Sequence, residues 1–113
     1  MRTIIAGSRT ITQYTILLKA LEKLPWKITT VISGGAKGVD ELGEAYAYLH
    51  KIPLEIYNAE WNIYGKAAGP IRNALMAGKA DALVALWDGS SRGTAHMIET
   101  ARKKGLRVEV VLV

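Results

Sequence analysis

Two glycine-rich stretches carry the residue types that could hold an anion. They are Ser33-Gly34-Gly35-Ala36-Lys37-Gly38-Val39-Asp40 and Asp88-Gly89-Ser90-Ser91-Arg92-Gly93-Thr94. Glycine allows positive φ and lets backbone N–H groups approach a ligand closely. Where such a stretch joins a strand to a helix, those N–H groups and the helix dipole point at an anion. The second stretch adds hydroxyls. Taken singly, each also reads as a tight turn, but two facing one crevice suit a phosphate and its sugar. Neither is a Walker loop, since no G-x-x-x-x-G-K-[ST] occurs. Gly35-x-x-Gly38 matches only the second half of the dinucleotide fingerprint.

Further candidates lie between and before these loops. Gly7-Ser8-Arg9 follows the first apolar run, and Arg72-Asn73 follows Gly69-Pro70. A guanidinium at the start of a helix can grip a phosphate bidentately. Arg9 and Lys37 read either as phosphate partners or as surface cations. Asp40 reads either as a helix cap, as a ribose-hydroxyl acceptor or as a catalytic acid. Trp61 and Tyr64 could stack a base, although the pattern favours loop anchors. His96 has acid–base capacity but is read as a helix-surface group, and His50 as a C-terminal cap.

The elements that must position these residues follow from periodicity. Strands are expected at Arg2–Ala6, Ile28–Ser33, Pro53–Tyr57, Asp81–Trp87 and Arg107–Leu112. Helices are expected at Thr12–Leu24, Val39–Lys51, Pro70–Lys79 and Thr94–Lys104. Thr12 is the expected N-cap of the first helix, Pro25 its stop, Pro70 the first residue of the third, and Gly105 the end of the fourth. This alternation predicts an α/β domain over 1–113: a doubly wound parallel sheet with helices on both faces. Ligands of such sheets bind beyond the strands' carboxyl ends. Seven of the eleven glycines fall at or beyond those ends. The long connection Asn58–Gly69 reads as a functional lid.

Composition narrows the function classes. The chain has 113 residues, half of them hydrophobic and 22% charged, which excludes disordered and fibrous classes. It has no cysteine, so disulfides, thiol nucleophiles and thiolate metal sites are excluded. Two histidines argue against a His-rich metal site. No signal-like or membrane-length apolar run occurs, so the expected location is the cytoplasm. A net charge of +5 suits anionic partners without choosing among them.

Four motifs in order, IAGSR, VISGGAKGVDELGEAYA, WNIYGKAAGPIRN and DALVALWDGSSRGTAHMIE, resemble the SLOG superfamily. That group includes the DprA/Smf DNA-uptake proteins, the LOG cytokinin-activating phosphoribohydrolases and small stand-alone YpsA/YspA-like proteins. The resemblance to the stand-alone branch covers nearly the whole chain. It implies a three-layer Rossmann-like sheet of five strands in order 3-2-1-4-5 with four helices, binding a nucleotide or nucleotide-derived ligand. It carries the binding role onto Gly7, Ser8, Arg9, Gly34, Gly35, Gly38, Asp40, Arg72, Asn73, Gly89, Ser91, Gly93 and Thr94. Ser33, Ala36, Lys37, Asp88 and Ser90 complete the candidate loops. The phosphoribohydrolases carry P-G-G-x-G-T-x-x-E with a catalytic Glu paired to an Arg. Here Asp88-Gly89-Ser90 departs from that start, and Met97 stands at the Glu position. Glu99 lies roughly 200° further round the helix and does not substitute.

Three functions are weighed. The first is a sensing or sequestering module for a nucleotide-type ligand, without chemistry. The second is an N-glycosidic hydrolase in which Asp40 or Glu41 supplies the carboxylate and Arg72 meets the phosphate. The third is single-stranded DNA binding, as in DprA. No protein-bound cofactor is implied beyond Mg²⁺ accompanying a nucleotide. No membrane partner is expected. Self-association is expected by analogy with the superfamily, with the small, apolar helix around IRNALMAGK offering a face for a second copy.

Overall fold

The computed structural model describes residues 1–113. Five strands, β1 (Arg2–Gly7), β2 (Thr30–Ser33), β3 (Leu54–Ile56), β4 (Ala82–Trp87) and β5 (Arg107–Leu112), form one sheet in the order β3-β2-β1-β4-β5. Every pairing is parallel, with Ile4 opposite Ile32 on one side and Leu83 on the other. The four expected helices are α1 (Tyr14–Glu22), α2 (Val39–Leu49), α4 (Ala68–Lys79) and α5 (Arg92–Lys103). A single turn, α3 (Trp61–Tyr64), and a 3₁₀ turn over Gly65–Ala67 precede α4.

The central strands are almost continuously apolar because both their faces are covered. Alternate side chains go to opposite cores. Ile4, Ala6, Leu83 and Ala85 pack with Met76, Met97 and Ile98 under α4 and α5. Ile5, Val84 and Leu86 pack with Leu17, Val39 and Ala47 under α1 and α2. Gly43 of α2 has no room for a side chain, since a Cβ there would lie 2.9 Å from Ile5.

Several boundaries differ from the sequence expectations, each for a local reason. Helix α1 starts after Gln13, not Thr12, and no side chain caps it. Ile11 is buried and its N–H donates to the Ser8 carbonyl, so the chain is still turning there. Strand β2 starts at Thr30 because its pairing with β1 begins at Arg2. Pro70 is the third residue of α4, since the 3₁₀ turn runs directly into the helix. A proline is tolerated there because the first-turn N–H groups lack intrahelical acceptors. Helix α5 starts at Arg92, capped by Ser91, whose Oγ accepts from the Thr94 N–H at 3.3 Å. His50 does cap α2: its ring packs on Tyr46, with Nδ1 3.0 Å from the Tyr46 carbonyl oxygen.

Candidate functional site

The loops after β1, β2 and β4 and the segment before α4 converge at the strands' carboxyl ends. They enclose a cavity of about 310 Å³, at the low end of the range typical of ligand sites. Its walls come from four parts of the chain. The loops after β1 and β2 supply Gly7, Arg9, Ala36 and Asp40. Helix α4 and the turn before it supply Trp61, Gly69, Pro70, Arg72, Asn73 and Met76. Helix α5 supplies Arg92, Gly93, Thr94, His96 and Met97, with its cap Ser91.

The first two loops are tied down by groups that face inward. Ser8 is buried, its N–H donates to the Leu86 carbonyl and its Oγ accepts from the Asp88 N–H, both at 3.0 Å. The hydroxyl therefore fastens β1 to the end of β4. The Ser33 hydroxyl donates to Glu44 Oε2 at 2.6 Å and accepts from the Gly35 N–H at 3.1 Å. Both serines shape the site from beneath and do not line the cavity. Gly7 admits no Cβ, which would strike the Leu86 carbonyl oxygen and come within 2.7 Å of Val39. Gly38 has φ +81°, and a Cβ there would lie 2.5 Å from the Ser8 carbonyl oxygen.

Asp40 and Arg72 form the charged centre. Asp40 is 6% exposed, and its Oδ2 accepts from the Ala36 N–H at 3.2 Å. Burial pushes its pKa up to about 6, against the opposing pulls of the Ala36 N–H and the Arg72 charge. Arg72 donates through Nη1 to the Gly34 carbonyl at 2.5 Å and through Nε to Asn73 Oδ1 at 3.0 Å. Burial lowers the Arg72 pKa, while Asp40 raises it. Gly34 separates the two groups: a Cβ there would strike the Arg72 guanidinium and lie 2.8 Å from Asp40 Oδ2.

The β4 loop holds itself. Asp88 Oδ1 accepts from the Ser90 and Ser91 N–H groups at 2.8 and 2.9 Å, and those bonds hold its pKa below the usual carboxylate range. Ser91 and Thr94 share a hydroxyl hydrogen bond of 2.9 Å. No cluster of three or more His, Asp and Glu side chains is placed to hold a metal ion.

Of the residues expected from the sequence, Gly7, Arg9, Ala36, Asp40, Arg72, Asn73, Ser91, Gly93 and Thr94 come together at the cavity. Ser8, Ser33, Gly34, Gly35, Lys37, Gly38, Asp88, Gly89 and Ser90 build or flank its loops without lining it. Glu41 is exposed on α2 and does not line the cavity. Met97, which the resemblance aligns with the glutamate of the phosphoribohydrolase members, is 1% exposed and lines the cavity beside the apolar core. Glu99 pairs with Lys103 at 2.8 Å on the outer face of α5.

Three cavity residues correct the sequence reading. Trp61 is half-exposed, not a buried anchor, because α3 seats it at the cavity beside Gly69. His96 turns toward the cavity, not toward bulk solvent. Arg92, which the sequence shows only as part of the second glycine-rich stretch, also lines the cavity. The signal for both lies in spacing: Arg92 and His96, like Gly93 and Met97, are four residues apart and share one face of α5.

A parallel sheet with glycine-rich turns and arginines at its carboxyl edge defines a Rossmann-like domain. Comparison with known proteins narrows this. The model of the YspA, cpYpsA-related SLOG family matches residues 1–64. Gene 61 protein of Mycobacterium phage D29 is 32% identical over 117 residues, covering 95% of this chain and 93% of that protein. The chain belongs to the YspA, cpYpsA-related SLOG family. DNA processing protein A (DprA) from Streptococcus pneumoniae has the same fold, with a TM-score of 0.76 at 18% identity. That match covers 96% of this chain and 49% of DprA, so the chain spans about half of that structure. No helix is long and apolar enough to cross a membrane.

Proposed function

We propose that the protein binds a nucleotide or nucleotide-derived ligand in this cavity, as a sensing or sequestering module. The observation that carries the reading is the charge arrangement. Three arginines from three separate elements, Arg9, Arg72 and Arg92, border one cavity whose single carboxylate, Asp40, is almost fully buried. Arg92, Gly93 and Thr94 form the first turn of α5, where the dipole favours an anion. Trp61 offers an exposed aromatic face at the rim for a base. Mg²⁺ would arrive with a nucleotide's own phosphates.

The test is equilibrium dialysis against AMP, ADP-ribose, NAD and cyclic AMP, with mass spectrometry of both compartments. Enrichment of an intact compound on the protein side is the expected result. Release of a free base and a sugar phosphate would replace this reading with N-glycosidic hydrolysis. One observation favours that second reading: Asp40 is a buried carboxyl with a raised pKa at the cavity, as a general acid would be. Absence of any enrichment or turnover would overturn both and direct attention to single-stranded DNA. The DNA-processing neighbour and the net charge of +5 support that option.

We also propose that the protein self-associates through α3 and α4. Ile63, Ile71 and Leu75 on these helices are 69%, 37% and 55% exposed. Large apolar side chains so placed favour a covering partner.

A further inference from the structure

A chain of hydrogen bonds crosses the cavity from the β2 loop to α5. Arg72 Nη1 donates to the Gly34 carbonyl at 2.5 Å, and Nε donates to an Asn73 side-chain atom at 3.0 Å. An arginine can only donate, so the atom facing it is the amide oxygen of Asn73. The amide nitrogen therefore points the other way, 3.1 Å from His96 Nδ1. An amide nitrogen only donates; one of its two protons meets the Gly93 carbonyl at 3.4 Å, and His96 Nδ1, the nearer partner, accepts the other. The nearby Thr100 hydroxyl, 3.4 Å from the same nitrogen, is a more distant partner for that single lone pair. The ring proton then resides on Nε2, the one ring nitrogen without a protein partner, and the ring lines the cavity.

We propose that His96 is a ligand-positioning residue, locked by Asn73 as the Nε2–H tautomer and donating that hydrogen bond to an acceptor oxygen of a phosphorylated ligand. This rests on the binding reading above and adds a donor of fixed direction to it. Arg9 and Arg92 supply charge from exposed, flexible side chains. Asn73, by contrast, is 5% exposed and cannot swing its amide without losing Arg72, Gly93 and His96 as partners. The relay also links the walls: Arg72 grips the Gly34 loop with the same side chain that orients the amide for His96. A ligand that draws on Nε2–H is thus connected by direct hydrogen bonds to the loop after β2.

The experiment has two readouts on the intact chain. Long-range ¹H–¹⁵N spectra of ¹⁵N-histidine protein report which ring nitrogen of His96 bears the proton, with His50 assigned through a His50→Gln variant. The expected state is Nε2–H, and an Nδ1–H tautomer overturns the proposal. Titration then follows tryptophan fluorescence and the His96 signals with AMP, ADP-ribose, NAD and cyclic AMP. Binding should shift Nε2 and leave Nδ1 nearly unmoved. His96→Ala and His96→Asn should weaken binding about tenfold. His96→Gln, whose amide N–H reaches the position of Nε2, should remain within about threefold of wild type. A compound that binds wild type and His96→Ala equally overturns the role of His96 while leaving the binding reading intact. Failure of all four compounds to bind overturns the binding reading, and this proposal falls with it.

Discussion

Asp40 shows how burial sets the behaviour of a single residue. In the unfolded chain its carboxyl has the ordinary aspartate value of 3.8, and burial in the folded protein pushes it up to about 6. The folded state therefore holds the proton more tightly. The stability this contributes is fully present below pH 3.8 and is lost as pH rises through 6. A shift of this size corresponds to about 3 kcal/mol between the two ends of the range. Asp40→Asn removes the ionised form and keeps an acceptor for the Ala36 N–H. The variant should melt several degrees above wild type at pH 8 and show no advantage at pH 3.5. Calorimetry across pH 3.5–8 checks this, and a pH-independent difference would argue against a buried ionised carboxyl. Gly34 explains why the centre tolerates such close packing of charge. Its missing side chain is the space that Arg72 and Asp40 Oδ2 occupy.

At the scale of elements, the turn from β2 into α2 is the most constrained joint. Gly38 precedes α2 with φ +81° and ψ −126°, a region that side-chain-bearing residues rarely enter. It also lies against Arg9, whose Cα would be 2.6 Å from an added Cβ. Gly38→Ala should lower the unfolding free energy by at least about 2 kcal/mol. It should also displace the Arg9 loop from the cavity. Urea unfolding measures the first, and a wild-type midpoint would mean that the turn relaxes freely. Helix α5 works differently. Its Ser91 cap and the Asp88 oxygen that accepts from the Ser90 and Ser91 N–H groups use side chains to set the helix start. The sheet carries none of this variability, because β1 and β4 are paired along their whole apolar length.

At the scale of the molecule, the two edges of the sheet differ. The glycine-rich loops and the cavity gather at the carboxyl end, while Arg102 and Lys103 end α5 at the other. The Arg2–Glu55 ion pair of 2.6 Å also lies at that far edge, tying β1 to β3. The outer faces of α3 and α4 carry the exposed apolar residues Ile63, Ile71 and Leu75, among others elsewhere on the surface. Light scattering at high micromolar concentration should return twice the chain mass, and Leu75→Glu should reduce it to that of one chain. A wild-type monomer at that concentration would end the self-association proposal.

Strand and helix alternation, the parallel sheet and the edge at which the glycine-rich loops gather are all legible in the sequence. These follow from local properties: hydrophobic period, β-branched runs, and glycine at turns that need positive φ, as at Gly35, Gly38 and Gly89. The family motifs were equally legible, because they are contiguous stretches. What the tertiary structure alone decided is which polar groups face the cavity and which are consumed in building it. Ser8 and Ser33 look like ligand hydroxyls in sequence but are spent on Asp88 and Glu44. His96 and Trp61 look like surface and anchor residues, yet both line the cavity. The physical reason is that a hydrogen-bond donor is committed by partners far along the chain. The Asn73 amide that orients His96 is itself oriented by Arg72, and Arg72 by the carbonyl of Gly34. Such closure depends on side-chain directions across three elements, which no spacing along one element records.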